Sequence, residues 1–390
     1  MKKITSLLAV LAMLATFVVM PVSAATGYAG GDGLTAETAY EIANATQLAN
    51  ASKQINAGVD NKAYFKLTAD IDYNNQEWVP MGSLSPNYFK GSFDGQGHVV
   101  KNLQITASCA NTGFFGYIGT GGVVKNLGID NMNLNLSTGN NPDTVGGFAS
   151  CVSGATITNC YLKNSIVRSG GKQASNGIGV FAGLVRSGST IKNCYAYKIE
   201  TLAHLNNVNA GFAHQRIEGG STFENCYVAE INALWGRPAY SFGSNNQSNV
   251  SAANCWSTLA AITGTNYNAD RAFGNYVADK DTLVSKFKNV EGFAVSAKVN
   301  DGYPCFVREV DCVIKSVADN GTVRVIKNVD TPETVYVATY DGGGRMVDVK
   351  ASAVNADDFT FTPDGLTTST TLKVFVWDGN NIPVADMYTN

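Results

Sequence analysis

Charge is what this sequence most lacks. Of its 390 residues only 15% are Asp, Glu, Lys or Arg, against 40 glycines, a balance that fits a turn-rich β protein better than a helical one. Cations do not exceed anions: 28 Lys and Arg face 31 Asp and Glu, for a net charge of −3. No basic stripe is left to hold a phosphate backbone, which excludes nucleic acid as a partner. Histidine is limited to His98, His204 and His214. The last two sit close together in AHLNNVNAGFAH without a third ligand, so no metal site and no cofactor are expected. Long hydrophobic runs are confined to the start, where Lys2 and Lys3 precede SLLAVLAMLATFVVM and Val22 to Ala24 supply small residues for cleavage. Residues 1–24 read as a secretory signal peptide, with a retained anchor as the alternative. No Cys follows the cut, and PVADMYTN carries neither a hydrophobic tail nor a Leu-Pro-x-Thr-Gly signal. The mature chain is expected to be secreted, without a membrane span, and held at a cell surface by contacts if at all.

What the sequence does contain is a repeat. GATITNCYL from Gly154 returns as GSTIKNCYA from Gly188 and GSTFENCYV from Gly220, with a decayed copy, NVSAANCWS, from Asn249. GHVVKNLQI and GGVVKNLGI place Leu where the later copies have Cys. The aligned asparagines are Asn102, Asn126, Asn159, Asn193, Asn225 and Asn254, spaced 24, 33, 34, 32 and 29 residues apart. Periods of about 20 to 50 residues mark solenoids or propellers, and a 24-residue unit leaves little room for a four-stranded blade. Two residues before each Asn, and one and three after it, the positions are mostly apolar. The three-residue step across the Asn breaks the two-residue alternation of a strand. The chain must therefore bend there, and Asn tolerates the left-handed conformation of such a bend. Stacked turns would set these amides in a hydrogen-bonded ladder, with Leu103, Leu127, Cys160, Cys194, Cys226 and Cys255 filed inward. Upstream of the later Asn units lie Gly/Phe elements such as GFFGYI and GVFAGL, and length variation falls in polar loops such as NLNLSTGNNPDTV and RSGGKQASNG.

GGFASCVSGATITNCYL and GVFAGLVRSGSTIKNCYA resemble GLUG repeats of bacterial surface and secreted proteins. The lead-in GDGLTAETAYEIANATQLANAS, the stretch FKGSFDGQGHVVKNL and the closing DGYPCF are similar to the flanks of such repeats, so the resemblance covers residues 30 to 308. It implies a right-handed coil, an exported location and adhesive or carbohydrate-related roles, without shared catalytic residues. NATQLANASKQINAG reads as an amphipathic helix with Leu48, Ala51, Ser52 and Ile55 on one face and Gly58 as its stop, expected to cap the open end of the coil. From Asp311 the repeat gives way to alternating strands such as TVYVATYD and TLKVFVWD, with DGGG at 341–344 as a hairpin turn. The expected fold is all-β: a right-handed parallel β-helix (solenoid) with an N-terminal capping helix and a C-terminal β-sandwich domain. Its parts are the signal peptide 1–24, a cap and first strands 25–90, the repeat coil 91–310 and the sandwich 311–390.

The eight cysteines invite a disulfide reading, but parallel rungs hold like residues about 4.8 Å apart while a disulfide needs Cβ atoms near 3.8 Å. Free stacked thiols are expected for Cys160, Cys194, Cys226 and Cys255. A bridge between Cys305 and Cys312 is the minority reading, and Cys109 and Cys151 stay undecided. Glycoside hydrolysis needs paired carboxylates, yet the residues before each Asn are Lys101, Lys125, Thr158, Lys192, Glu224 and Ala253. Asp94 reads as a turn residue, Asp70 and Asp72 as solvated edges, and Arg168, Arg186 and Arg216 as lacking acidic partners. No catalytic residue is assigned. The residue after each inward Cys points outward, and there stand Tyr161, Tyr195, Tyr227 and Trp256. With Trp235 and Tyr240 they form a candidate strip for sugar rings. The alternative is that a loop or the tail covers them as a second core. The expected function is recognition of an extracellular glycan or surface protein. The alternatives are a polysaccharide lyase or glycoside hydrolase, and a structural spacer.

Overall fold

The computed structural model describes residues 27–107, 109–136, 144–169, 178–203, 209–213, 220–235, 239–244, 250–261, 272–367 and 369–390. The signal peptide, most of the two polar loops, His204, His214 and Arg216 lie outside them. The chain is mostly β, a solenoid of about five turns between residues 64 and 257 followed by antiparallel sheets. One fifteen-stranded sheet wraps most of the coil. Its first column runs through Tyr64–Leu67, Ser92–Asp94, Val123–Lys125, Thr156–Thr158 and Thr190–Lys192, each pair parallel and in register. The chain then bends into a second column, where Gly128, Tyr161, Tyr195, Tyr227 and Trp256 stand in line. A third column joins Asn133–Asn135, the end of Tyr161–Arg168 and the end of Tyr195–Ala203. The Gly/Phe elements close each turn as short parallel strands, among them Phe115–Ile118, Ala149–Ser153 and Ala182–Arg186.

The core follows from this register. Phe148, Phe181, Phe212 and Phe242 stack ring on ring at 4.7, 4.7 and 4.8 Å, within 9° of parallel. Leu127, Cys160, Cys194, Cys226 and Cys255 file beside them, each fully buried. All eight cysteines are free, Cys305 and Cys312 included, so the minority reading of a bridge between those two is not the arrangement found. The thiols approach the corner carbonyls instead: Cys160 Sγ lies 3.2 Å from Thr158 O and Cys194 Sγ 3.2 Å from Lys192 O. Gly146 sits where a Cβ would come within 2.1 Å of Ala149 O, so the Gly/Phe element admits no side chain at that bend.

Helix α1, Ala45–Asn56, covers the N-terminal end. Its cap is Asn44, whose side chain accepts from Gln47 N, while Gln47 Oε1 accepts from Ala43 N at 2.7 Å. Leu48, Ala51, Ser52 and Ile55 are its buried face, and Gly58 ends it at φ 79°. At the other end, Cys312–Val317, Val323–Lys327 and Asp358–Phe361 form one antiparallel sheet. Met346–Val354, Glu333–Tyr340, Thr371–Asp378 and Tyr388–Thr389 form a second. Val325, Val335, Val337, Val374 and Val376 are buried in the core these sheets share, and DGGG turns the hairpin between Tyr340 and Met346 through Gly344 N–H donating to Asp341 O at 3.0 Å.

Candidate functional site

Two corners organise the surface. At the first, Asn126, Asn159, Asn193, Asn225 and Asn254 all adopt φ of 49–55°. Asn159 donates to Asn126, Asn193 to Asn159, Asn225 to Asn193 and Asn254 to Asn225, at 2.9–3.1 Å. The ladder forms as read, with one correction. Asn102 is not in it. Asn126 donates instead to Asp94 Oδ1 at 3.0 Å, because Val123–Lys125 pairs with Ser92–Asp94. Asp94 is thus the ladder's terminal acceptor as well as a turn residue, and Lys125 Nζ stands 3.1 Å from it. Asn102 belongs to the second corner, where it accepts from Asn131 at 2.7 Å and donates to Asp72 at 2.9 Å. That bond chiefly holds the Asp72 carboxyl below its ordinary value. Asp72 therefore ends a ladder too. The inward Leu103 goes with Asn102, aligned near Met132 rather than Leu127.

The second corner continues through Asn164, Lys198 and Glu230, again at φ of 49–55°. Here Asn yields to charged side chains. Beside them lies an open trough of about 370 Å³ lined by Asn164, Lys198, Glu200, Glu230 and Asn232 over apolar Ile166 and Ile199. Glu200 pairs with Arg168, which corrects the reading of that arginine as partnerless. Arg186 donates to Tyr117 Oη at 2.6 Å. Asp301, from a later segment, approaches Lys198 at 3.9 Å and accepts from Tyr197 Oη at 2.7 Å. Glu230 accepts from Tyr303 Oη.

The expected aromatic strip forms a column but not an open surface. Tyr161 and Tyr195 stack at 5.1 Å and 12°, Tyr195 and Tyr227 at 5.0 Å and 4°. Gly128 begins the column: a Cβ there would lie 2.3 Å from Tyr161 Cζ. All three rings are at most 1% exposed, which overturns their use as a glycan strip. A strap made of helix α2, Lys280–Phe287, and the hairpin Phe293–Val295 with Pro304–Phe306 lies across them. Phe287, Phe293 and Phe306 pack on the tyrosines at 5.1–6.4 Å. The phenols of Tyr195 and Tyr227 are satisfied from the strap. Tyr195 Oη donates to Glu309 Oε2 at 2.6 Å, whose other oxygen takes Lys163 Nζ at 2.8 Å. Tyr227 Oη donates to Pro304 O. Burial, reinforced by the Glu309 charge, drives the Tyr195 phenol far above its ordinary range. Trp256 is partly buried, its indole donating to Asn254 Oδ1 at 2.7 Å with Lys286 Nζ 4.9 Å above the ring. Tyr240 is 2% exposed and sits in a different, five-stranded sheet. The side chain of Trp235 lies outside the described residues.

Among the described residues no three His, Cys, Asp or Glu gather as a metal cluster, and no helix is long and apolar enough to cross a membrane. No known family profile matches the sequence. It is similar to halomucin of Haloquadratum walsbyi, 33% identical over 137 residues, and to a "Putative Gly-rich membrane protein" of Evansella cellulosilytica, 33% identical over 109 residues. These stretches make up 32% and 26% of this chain but only 1% and 12% of those proteins. A crystal structure of a "putative immunoglobulin A1 protease" from Bacteroides ovatus superposes with a TM-score of 0.50 at 21% identity, over 72% of this chain and 95% of that one. At that identity the likeness is one of fold: this chain is a β-solenoid protein.

Proposed function

We propose that this protein is an exported surface-recognition solenoid of the GLUG-repeat type, presenting a polar groove to an extended extracellular glycan. The second corner carries the reading. A left-handed backbone at a residue other than Gly or Asn costs roughly 1–2 kcal/mol, and the first corner avoids that cost with Asn in the five turns from Asn126 to Asn254. Lys198 and Glu230 accept it while facing an open trough. Strain held at an exposed polar site fits a functional demand. The trough runs across three successive turns and offers ammonium, amide and carboxylate groups, which suits a polar chain lying along the solenoid axis. The names of the similar proteins, a halomucin and a Gly-rich membrane protein, favour a cell-surface location. Glu200 and Glu230 are held in place by Arg168 and Tyr303, which orders the carboxylates that line the trough.

A glycan array probed with the wild-type chain and with a Lys198→Ala/Asn232→Ala variant tests the groove. The expected result is a wild-type signal that drops at least tenfold in the variant at unchanged melting temperature. An unchanged signal removes the groove from the reading. New reducing ends released from any array hit would turn the protein into an enzyme.

A further inference from the structure

The solenoid buries its aromatic column, but the C-terminal sandwich leaves one open. In the sheet ordered Met346–Val354, Glu333–Tyr340, Thr371–Asp378, Tyr388–Thr389, the inward positions are Val335, Val337, Val374 and Val376, all fully buried. Partners across an antiparallel ladder point to the same side, so the intervening pairs face out. Tyr336 stands opposite Phe375 and Ala351, Thr334 opposite Trp377 and Ala353, and Ala338, only 1% exposed between its larger neighbours, opposite Lys373 and Val349. The water-facing side of such a sheet is normally polar. Here Tyr336 and Trp377 lie 5.2 Å apart, Phe375 and Trp377 5.9 Å, and all three rings are partly exposed. Ala351 and Ala353 are exposed beside them, and Val349 is 43% exposed. An apolar patch of this kind on a folded chain marks a contact surface.

We infer that this face binds a soluble, neutral glycan chain through the apolar sides of its sugar rings. Charge selects the ligand class. Among the described outward ladder positions Lys373 is the one charged residue, and its Nζ lies 4.8 Å over the Tyr340 ring. A single cation gives neither an anionic membrane nor a phosphate backbone the several contacts they require. Area argues against a second copy. Four strands about 4.8 Å apart, with central strands of eight residues rising about 3.3 Å each, offer on the order of 500 Å². A stable dimer buries roughly 800 Å² per partner. Ring geometry narrows the choice further. The rings incline at 48° and 59° to one another, forming a cradle that grips single sugar units rather than a plane that lies on a crystalline polysaccharide. Thr334 and Thr371, at the ends of the same face, supply hydroxyls for the sugar edges. The site is separate from the solenoid groove and stands without it.

The test is native affinity electrophoresis of the full chain in gels containing barley β-glucan, arabinoxylan or galactomannan, each a neutral soluble polysaccharide. The wild type is expected to be retarded by at least one, with apparent affinity reduced at least tenfold in Trp377→Ala and in Tyr336→Ala. The groove variant Lys198→Ala/Asn232→Ala is expected to keep the retardation. Should Trp377→Ala fail to fold, Trp377→Phe, which keeps a ring, is expected to fold and bind several-fold more weakly. The inference is overturned if no glycan retards the wild type, if folded Trp377 and Tyr336 variants bind as wild type, or if only the groove variant loses binding. A dimer seen by sedimentation that Val349→Lys dissolves would overturn it in favour of a second copy.

Discussion

Two stacks of aromatic rings run along the solenoid axis, four phenylalanines and three tyrosines, and in spacing and tilt they barely differ. The phenylalanines repeat at 4.7–4.8 Å within 9°, the tyrosines at 5.0–5.1 Å within 12°. In-register parallel turns force like side chains together at the rung spacing, and that alone builds both. What separates them is closure. Each turn seals its own phenylalanine inside the coil. The tyrosines point outward and are sealed by a segment well downstream, 77 residues on for Tyr227 and Pro304 and 114 for Tyr195 and Glu309. A phenol hydroxyl cannot be buried without a partner, so that segment has to supply Glu309 and the Pro304 carbonyl as well as apolar rings. Register makes an aromatic column, and the cover decides whether it is a binding strip or a core.

The sharpest way to break the comparison is to remove one ring from the self-sealed stack. Phe181→Ala leaves a cavity between Phe148 and Phe212 and is expected to cost about 3–5 kcal/mol, read from denaturant unfolding. A loss under about 1 kcal/mol would mean the stack collapses onto the gap and is not the core it looks like. Next in size is the strap. Glu309→Ala strands Lys163 and removes the acceptor of the Tyr195 hydroxyl, and the Lys163 and Glu309 side chains are only 14% and 8% exposed. Truncating one member of a buried charged pair is costly because the other stays behind, and about 2–3 kcal/mol is expected after allowing for the partial exposure of Lys163. Limited proteolysis distinguishes the two stacks: Glu309→Ala should open cleavage between residues 277 and 310 while the solenoid stays intact. Simultaneous loss of solenoid and strap would make them one cooperative unit.

The repeat was readable because Asn recurs wherever a left-handed bend is needed, and because inward Leu and Cys alternate with outward residues beyond it. The same chemistry caused the misplacement of Asn102. Both corners demand Asn after a short apolar strand, so VVKN appears once at each, and GHVVKNLQI looks like GGVVKNLGI although it belongs one corner further on. The 24-residue step, shorter than the other four, was the available sign. The second corner was missed because its column changes from Asn131 and Asn164 to Lys198 and Glu230. Yet each stands five residues after a ladder Asn. Helix α1 was legible from its local apolar face and stop. Burial of Tyr161, Tyr195 and Tyr227 stood only as the alternative to an open strip, since the strap carries no repeat and its contacts are distant in sequence. The outward rings of the sandwich sit in an alternating strand, TLKVFVWD, both faces of which are apolar, so its pattern does not say which one is the core.

The contrast between a file the repeats close for themselves and one turned to another use recurs at the two corners, and the smallest expected effect tests it. Lys198 holds φ 55° without the side-chain amide that lets Asn favour that conformation. Its neighbour one turn back, Asn164, donates to Asp130 at 2.8 Å, so an amide at 198 would have Asn164 Oδ1 within reach of the same kind of link that joins Asn131 to Asn102. Lys198→Asn is therefore expected to raise stability by about 1 kcal/mol, a melting-temperature gain of a few degrees. It should also weaken glycan binding in the groove, because the ammonium facing Asp301 is gone. Most surface substitutions stay within about half a kcal/mol of neutral, so a gain of that size coupled to lost binding would identify a position where stability has been given up for recognition. If stability falls instead, the lysine is serving the fold through Asp301 and Tyr197. The second corner would then be structural like the first, and the groove would lose the argument that singles it out.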